Sequence, residues 1–249
     1  MTDLRVDAVV LAGGRAKPDI VAATGVANRA LIPVRGKPML EHVCGALDAA
    51  AGVRDVVIVG DVPAPPGCAQ VPDHGGFVEN LFAGLDRAGG EGLVLVTTCD
   101  IPFVTAGALD DLIRRGAALE AAIVYPIVPV ERCYSRFPGV KRTSLRLAEG
   151  RFTGGNAMLL DAAFVRRNRE QIAGAYAARK SPARLAMMIG PLTVVRMLGA
   201  LTVFPKALKL AGLEQAVGRM LGGHVRALVS DYAEIATDID RLSDLRAAG

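Results

Sequence analysis

Apolar residues in this chain gather into short runs that end at turn-forming residues: RVDAVVLA (5–12), RDVVIVG (54–60), GLVLVTT (92–98) and LEAAIVYPIV (119–128). Runs of this length, rich in Val, Ile and Leu and without strict alternation, predict strands covered on both faces. Between them the spacing changes to helical at about 38–50, 77–88 and 105–115. Strand and helix therefore alternate, which predicts a doubly wound, mostly parallel sheet with helices on both faces. RTSLRLAEGRFTGG (142–155) departs from that rhythm. Its alternation around Glu149-Gly150 predicts a hairpin, followed by a further apolar run, NAMLLD (156–161). Helical signals fill 162 to about 222, HVRALVS (224–230) predicts a last strand, and DRLSDLRAA (240–248) a terminal helix. PAPPG (63–67) is a loop signal, and no repeat or low-complexity segment is present.

Composition narrows what such a sheet can serve. With 249 residues, 51% of them hydrophobic and 22% charged, the chain can bury a full core in one domain, 1–249. A net charge of +4 and a pI near 9.0 suit an anionic small molecule, without the clustered basic stripe of a nucleic-acid binder, so no nucleic acid is expected. Cys44, Cys68, Cys99 and Cys133 lie far apart with no CxxC and no Cys/His metal spacing. A zinc site and a disulfide framework are not indicated, and a reducing cytoplasm fits. MTDLRVD carries acids where a secretory signal needs basic residues and a long apolar stretch, so a cytoplasmic protein is expected.

The first chemical signal is VVLAGGRAKP (9–18), an apolar run entering two glycines. It lacks the third glycine of a dinucleotide fingerprint. Gly36-Lys37 downstream is not a P-loop, because Pro38 follows it and Leu31 occupies the place of the first glycine. Two readings stay open: a bare turn whose N–H groups approach a nucleotide, with Arg15 and Lys17 beyond it for the polyphosphate, or a tight turn whose glycines are steric. The second signal is CDIPFVT (99–105), an aspartate at the end of a buried strand, on the rim where open α/β sheets bind ligands. A lone Asp there is commonly a cap or turn former, but TDIDRLSDL (237–245) supplies company in Asp238 and Asp240. One of that pair can coordinate a cation while the other caps the helix. Two such distant carboxylates can hold one Mg²⁺ against a triphosphate, since Mg²⁺ takes one or two carboxylates and completes its shell with phosphate oxygens and water.

Taken in order, LAGG with its basic loop, ALIPVRGKPMLEHV, CDIPFVT, FTGGNAMLL and DIDRLSDL resemble the nucleotidyltransferases of the molybdenum-cofactor guanylyltransferase type, over about residues 6–178 and 224–247. The resemblance implies a three-layer αβα fold of the nucleotide-diphospho-sugar transferase (GT-A-like) type. It also implies transfer of a nucleoside monophosphate from an NTP to a small anionic acceptor, with release of pyrophosphate and with Mg²⁺ as cofactor. Carried over by residue, Leu11, Ala12, Gly13 and Gly14 would hold base and phosphates through the backbone, and Arg15 and Lys17 would meet the β and γ phosphates. Asp100 would be the main metal ligand, joined by Asp238 or Asp240. Gly75, Gly76 and Asn80 resemble the part that reads the base, and Gly154, Gly155 and Asn156 the acceptor-side loop; a simple hairpin exit explains that glycine pair equally well. Relatives carry a phosphate-contacting lysine where this chain has Arg29, after Asn28 rather than proline, and Asp19 lies in the intervening loop. Arginine keeps the charge but is a planar fork rather than a point donor.

Residues 178–223 form a helical insertion in this reading. Arg184, Arg196, Lys206 and Lys209 break it below the roughly 18 apolar residues of a membrane span, and Pro191 and Pro205 cut it into short helices. A helical cap or homodimer contact is the leading expectation for it, ahead of a peripheral surface for an anionic membrane or an amphiphilic acceptor. Two other functions compete with nucleotidyl transfer. One is a GT-A-type glycosyltransferase, which usually shows an Asp-x-Asp where this chain has CDIP; the other is a non-catalytic nucleotide-binding protein, favoured by Arg29.

Overall fold

The computed structural model describes residues 4–140, 142–178 and 208–248. A central sheet of nine strands runs in the order β5-β4-β1-β6-β10-β7-β9-β8, with β11 paired to β7. The strands are β1 (Val6–Leu11), β4 (Val53–Val59), β5 (Ala69–Val71), β6 (Leu93–Thr98), β7 (Ile123–Pro129), β8 (Leu145–Leu147), β9 (Gly150–Gly154), β10 (Ala157–Asp161) and β11 (Val225–Val229). A separate two-residue pair, β2 (Pro33–Val34) and β3 (Lys37–Pro38), turns through Arg35 and Gly36, both at positive φ. β4, β5, β6, β7 and β11 run parallel to β1, whereas β10 lies antiparallel between β6 and β7 and β9 continues that reversed direction against β7 and β8.

All six residues of β1 are buried, as a strand covered on both faces requires. One face packs against α2 (Met39–Asp48) and α4 (Ala106–Ala117), where Leu40, Leu47, Leu109 and Leu112 meet Ala8, Val10 and Leu95. The other face meets α3 (Phe77–Ala88), α6 (Ala162–Arg167) and α7 (Arg169–Ala178), through Phe82, Leu85 and Phe164 on Val9, Val57 and Val96. The three layers match the fold expected from alternation and resemblance. α8 (Leu210–Leu221) and α9 (Leu242–Ala248) complete the described helices, while most of the expected insertion, residues 179–207, lies outside the described residues.

Several boundaries differ from the sequence expectation. The basic loop between Arg15 and Arg29 contains α1 (Pro18–Thr24), started by Pro18 at its first position and stopped by Gly25 at φ 73°. The strand expected from 119 begins only at Ile123, because α4 continues to Ala117 and the chain then turns through Glu120 at φ 48°. The apolar run also ends in a short helix, α5 (Val130–Arg136), entered through Pro129. The expected hairpin is present, with Leu147 facing Gly150 across a two-residue turn.

Candidate active site

β1, β4 and β6 end at one rim, and the glycine turn leaves β1 there. Ala12 N–H donates to Val59 O at 2.7 Å, which carries the strand one residue further. The turn is then laced to the segment before the 3₁₀ helix Arg29–Leu31, since Arg29 N donates to Gly14 O and Ala16 N to Ala27 O, both at 2.8 Å. Asn28 ties the two together. Its Oδ1 accepts from Ala30 N at 2.8 Å, capping the short helix, and its Nδ2 donates to Ala12 O at 3.3 Å. A proline at this position could make neither bond.

A cavity of about 290 Å³ opens against this turn, lined among others by Gly13, Gly14, Arg29, Gly76, Asn80 and Asp100. Leu11 and Gly75 also face it, so six of the seven residues expected to bind nucleotide border one space, with Ala12 buried behind them. Gly13 is sterically demanded: a Cβ there would collide with Asp73 Oδ1 and lie 2.7 Å from Asn80 Nδ2. Asn80 is buried and serves the turn, accepting from His74 N and donating to Asp73 Oδ1, each at 2.7 Å. Asp73 Oδ1 also accepts from Gly75 N at 3.1 Å, and among the described residues no hydrogen bond engages its Oδ2. Phe77 and Tyr176 stack at 4.6 Å and 9° on the same cavity wall.

Charge alternates along the rim. Asp100, 6% exposed at the end of β6, accepts from Thr98 Oγ1 at 2.5 Å and from Arg29 Nη1 at 2.8 Å. Arg29 Nη2 reaches Asp240 Oδ1 at 3.0 Å, and Lys17 Nζ reaches Asp240 Oδ2 at 2.5 Å. Asp238 accepts instead from Arg142 Nη1 at 2.7 Å. Ile239 N–H donates to Asp100 O at 2.9 Å and so fixes the 238–240 segment against β6. Burial on its own would lower the pKa of Arg29, but Asp100 and Asp240 outweigh it and hold the value above the ordinary one. Burial and the neighbouring charge of Asp100 push the Asp238 carboxyl above its ordinary range, against the pull of Arg142. Arg15 is exposed, and its backbone pairs with Asn28.

The acceptor-side residues meet the same rim differently. The reversed strand breaks at Gly155-Asn156, whose N–H groups are used internally, Gly155 on Pro126 O and Asn156 on Ile235 O, both at 2.8 Å. Asn156 O accepts from Thr98 N at 3.0 Å, which joins this break to the strand that carries Asp100. At Gly154 a Cβ would collide with the Tyr125 hydroxyl and lie 3.0 Å from its ring. The glycine pair makes room for Tyr125 and Pro126 where the chain leaves the β8–β9 hairpin; β9 and β10 do not pair with each other but both run antiparallel to β7.

Sequence reading passed over Asp73, Thr98, Tyr176 and Arg142. Asp73 had a signal, since an aspartate two residues before a glycine is a common turn former. The other three had none, because only the packing of distant elements places them.

A doubly wound sheet with a glycine-floored cavity and an acidic rim at its strand ends places that cavity where open α/β sheets bind ligands. The family described as a MobA-like NTP transferase domain matches residues 8–227, and the chain belongs to it. Of known proteins, a molybdenum cofactor guanylyltransferase of Shewanella amazonensis is 32% identical over 126 residues, 47% of this chain and 59% of the relative. The chain thus spans under two thirds of that relative's length. A hypothetical transferase structure from Thermus thermophilus is 42% identical, with a TM-score of 0.86 over 97% of this chain and 100% of its own. A 2-C-methyl-D-erythritol 4-phosphate cytidylyltransferase of the same species shares the fold, at a TM-score of 0.53 and 17% identity over 96% of this chain and 95% of its own.

Proposed function

We propose that the protein is a Mg²⁺-dependent nucleotidyltransferase that moves a nucleoside monophosphate from an NTP to a small anionic acceptor and releases pyrophosphate. The cavity that joins the Gly13-Gly14 turn, the 73–76 turn and Asp100 carries this reading. The backbone of Gly13 and Gly14 lies along the nucleotide, with exposed Arg15 beside the polyphosphate. Asp73 Oδ2 suits a base edge rich in N–H donors, so guanine, with two adjacent donors, is the expected base. The acceptor's anionic oxygen attacks the α-phosphorus, the bond to the β-phosphate oxygen breaks, and pyrophosphate carries away the electron pair. No covalent enzyme intermediate is needed. Positioning and fixed positive charge from Arg15 and Arg29 carry the protein's share of the catalysis.

The acidic rim fits the metal. Among the described residues no three acids, histidines or cysteines form a cage, and Mg²⁺ needs only one or two carboxylates beside phosphate oxygens. Beside Asp100, whose Oδ1 accepts from Thr98 Oγ1 and whose Oδ2 accepts from Arg29 Nη1 until a metal takes the place of one of them, Asp238 suits it better than Asp240. Both oxygens of Asp240 are engaged by Arg29 and Lys17, whereas Asp238 is held by Arg142 through Oδ1 and bears a charge that Asp100 disfavours. Bound there, Mg²⁺ would neutralise charge on the phosphates. Among the described residues no helix is long and apolar enough to cross a membrane. A cytoplasmic enzyme remains our reading.

Thermal-shift titration of the wild type and Asp100→Asn with the four NTPs, NADPH and UDP-sugars, each with and without Mg²⁺, tests this. The expected result is stabilisation of the wild type by one NTP only with Mg²⁺, absent from Asp100→Asn. Stabilisation by UDP-sugars alone, or by NADPH without metal, would overturn it.

A further inference from the structure

Two cations of the rim converge on one carboxylate. Arg29 Nη2 lies 3.0 Å from Asp240 Oδ1, and Lys17 Nζ lies 2.5 Å from Asp240 Oδ2. A single carboxylate thus spans a guanidinium and an ammonium, one on each oxygen, as two oxygens of a polyphosphate would. With Asp100 on Arg29 Nη1 at 2.8 Å, these two cations face two carboxylates. The group is balanced in charge and exerts little net pull on an anion.

Its members differ in how firmly they are held. Asp100 is buried and anchors Arg29 from the inner side. The side chains of Asp240, Lys17 and Arg29 are 33%, 42% and 26% exposed, so a small anion in water can reach all three. The backbone beneath Asp240 is fixed: Ile239 N–H donates to Asp100 O, and the N–H groups of Asp240 and Arg241 donate to Asp244 Oδ2 at 3.3 and 2.9 Å. Rotation about its own side-chain bonds is therefore enough to turn the Asp240 carboxylate out into water. Arg29 also borders the cavity that holds the Gly13-Gly14 turn, which puts the exchange beside the proposed place of the nucleotide phosphates.

We infer that Asp240 is a built-in stand-in for phosphate: it occupies Arg29 Nη2 and Lys17 Nζ, and a polyphosphate displaces it to take the same two cations. In the absence of metal Asp100 keeps Arg29 Nη1. Displacement subtracts the same amount from the affinity of every anion, so a polyphosphate with several charged oxygens still binds while a single phosphate is held off. Asp240 in this role is a specificity residue rather than a metal ligand. That the polyphosphate belongs to an NTP rests on the transferase reading; the displacement itself does not.

Inorganic tripolyphosphate and phosphate, both without Mg²⁺, are titrated by calorimetry at low ionic strength into the wild type and Asp240→Asn, which keeps the shape and removes the charge. Both should bind the variant about tenfold more tightly, the scale of two partly exposed ion pairs released together. A wild-type crystal grown with tripolyphosphate should show phosphate oxygens on Arg29 Nη2 and Lys17 Nζ, with the Asp240 carboxylate out of reach of both; this needs no variant. Equal or weaker binding by Asp240→Asn, failure of tripolyphosphate to bind either protein, or a carboxylate still bridging the two cations beside bound tripolyphosphate would overturn the inference. Pyrophosphate release from Mg²⁺-NTP with candidate acceptors separates it from the transferase reading. Tighter tripolyphosphate binding by Asp240→Asn without any such release would remove that reading and leave the displacement standing, and release without the tightening would remove the displacement alone.

Discussion

The rim around Gly13 and the rim around Arg142 are built on opposite plans. On the nucleotide side the shaping side chains are paired before any ligand arrives: Asn80 donates and accepts, Asn28 ties the turn to its helix, and Arg29 spans two carboxylates. On the other side a buried arginine holds one carboxylate and leaves two nitrogens unmatched. The first is a preformed mould, whose fit limits what enters. The second leaves part of a buried guanidinium without a partner, a cost the rest of the fold has to offset.

The largest expected effect breaks the mould at its acidic end. Asp100→Asn keeps the shape but removes the charge that Arg29 holds and that the proposed Mg²⁺ would use, and pyrophosphate release with any competent acceptor should fall by about two to three orders of magnitude. Next comes Gly13→Ala, whose Cβ collides with Asp73 and lies 2.7 Å from Asn80 Nδ2; nucleotide affinity should fall by about tenfold or more, read by calorimetry. Gly154→Ala probes the opposite rim. It should cost about 1–3 kcal/mol of stability in denaturant unfolding, relieved in part by Tyr125→Phe, which removes the colliding hydroxyl but keeps the ring 3.0 Å away. Smallest is Lys17→Ala. That pair is partly exposed and Asp240 keeps Arg29, so thermal unfolding should change by no more than about 0.5 kcal/mol, while the Mg²⁺-NTP shift reports any part Lys17 plays on phosphate.

The same contrast explains what could be read from residues alone. β1, β4, β6, α3 and α4 were legible because their burial is written as local periodicity, and Gly13 and Asp100 because a strand end advertises its rim. α1 was hidden inside a basic loop, since a seven-residue helix with Ile20 as its buried contact leaves little pattern. β5 was hidden as a three-residue edge strand. That Asp240 has both oxygens engaged while Asp238 is held through one could not be read from a spacing of two, because it depends on Lys17, Arg29 and Arg142 arriving from elsewhere. Arg142 itself sits in an unpatterned loop, and its burial belongs wholly to tertiary structure.

The bond from Ile239 N–H to Asp100 O and the bridge from Arg29 to Asp240 stitch the rim from pieces made far apart in time. A chain emerging from the ribosome presents the glycine turn, Asn28 and Asp100 well before residues 238–240 exist. Until then Asp100 lacks its backbone latch and Arg29 has a single carboxylate to hold. Assembly of the acidic rim is thereby tied to synthesis having passed residue 240, so a prematurely stopped chain that has folded its first strands would still lack the rim's second half.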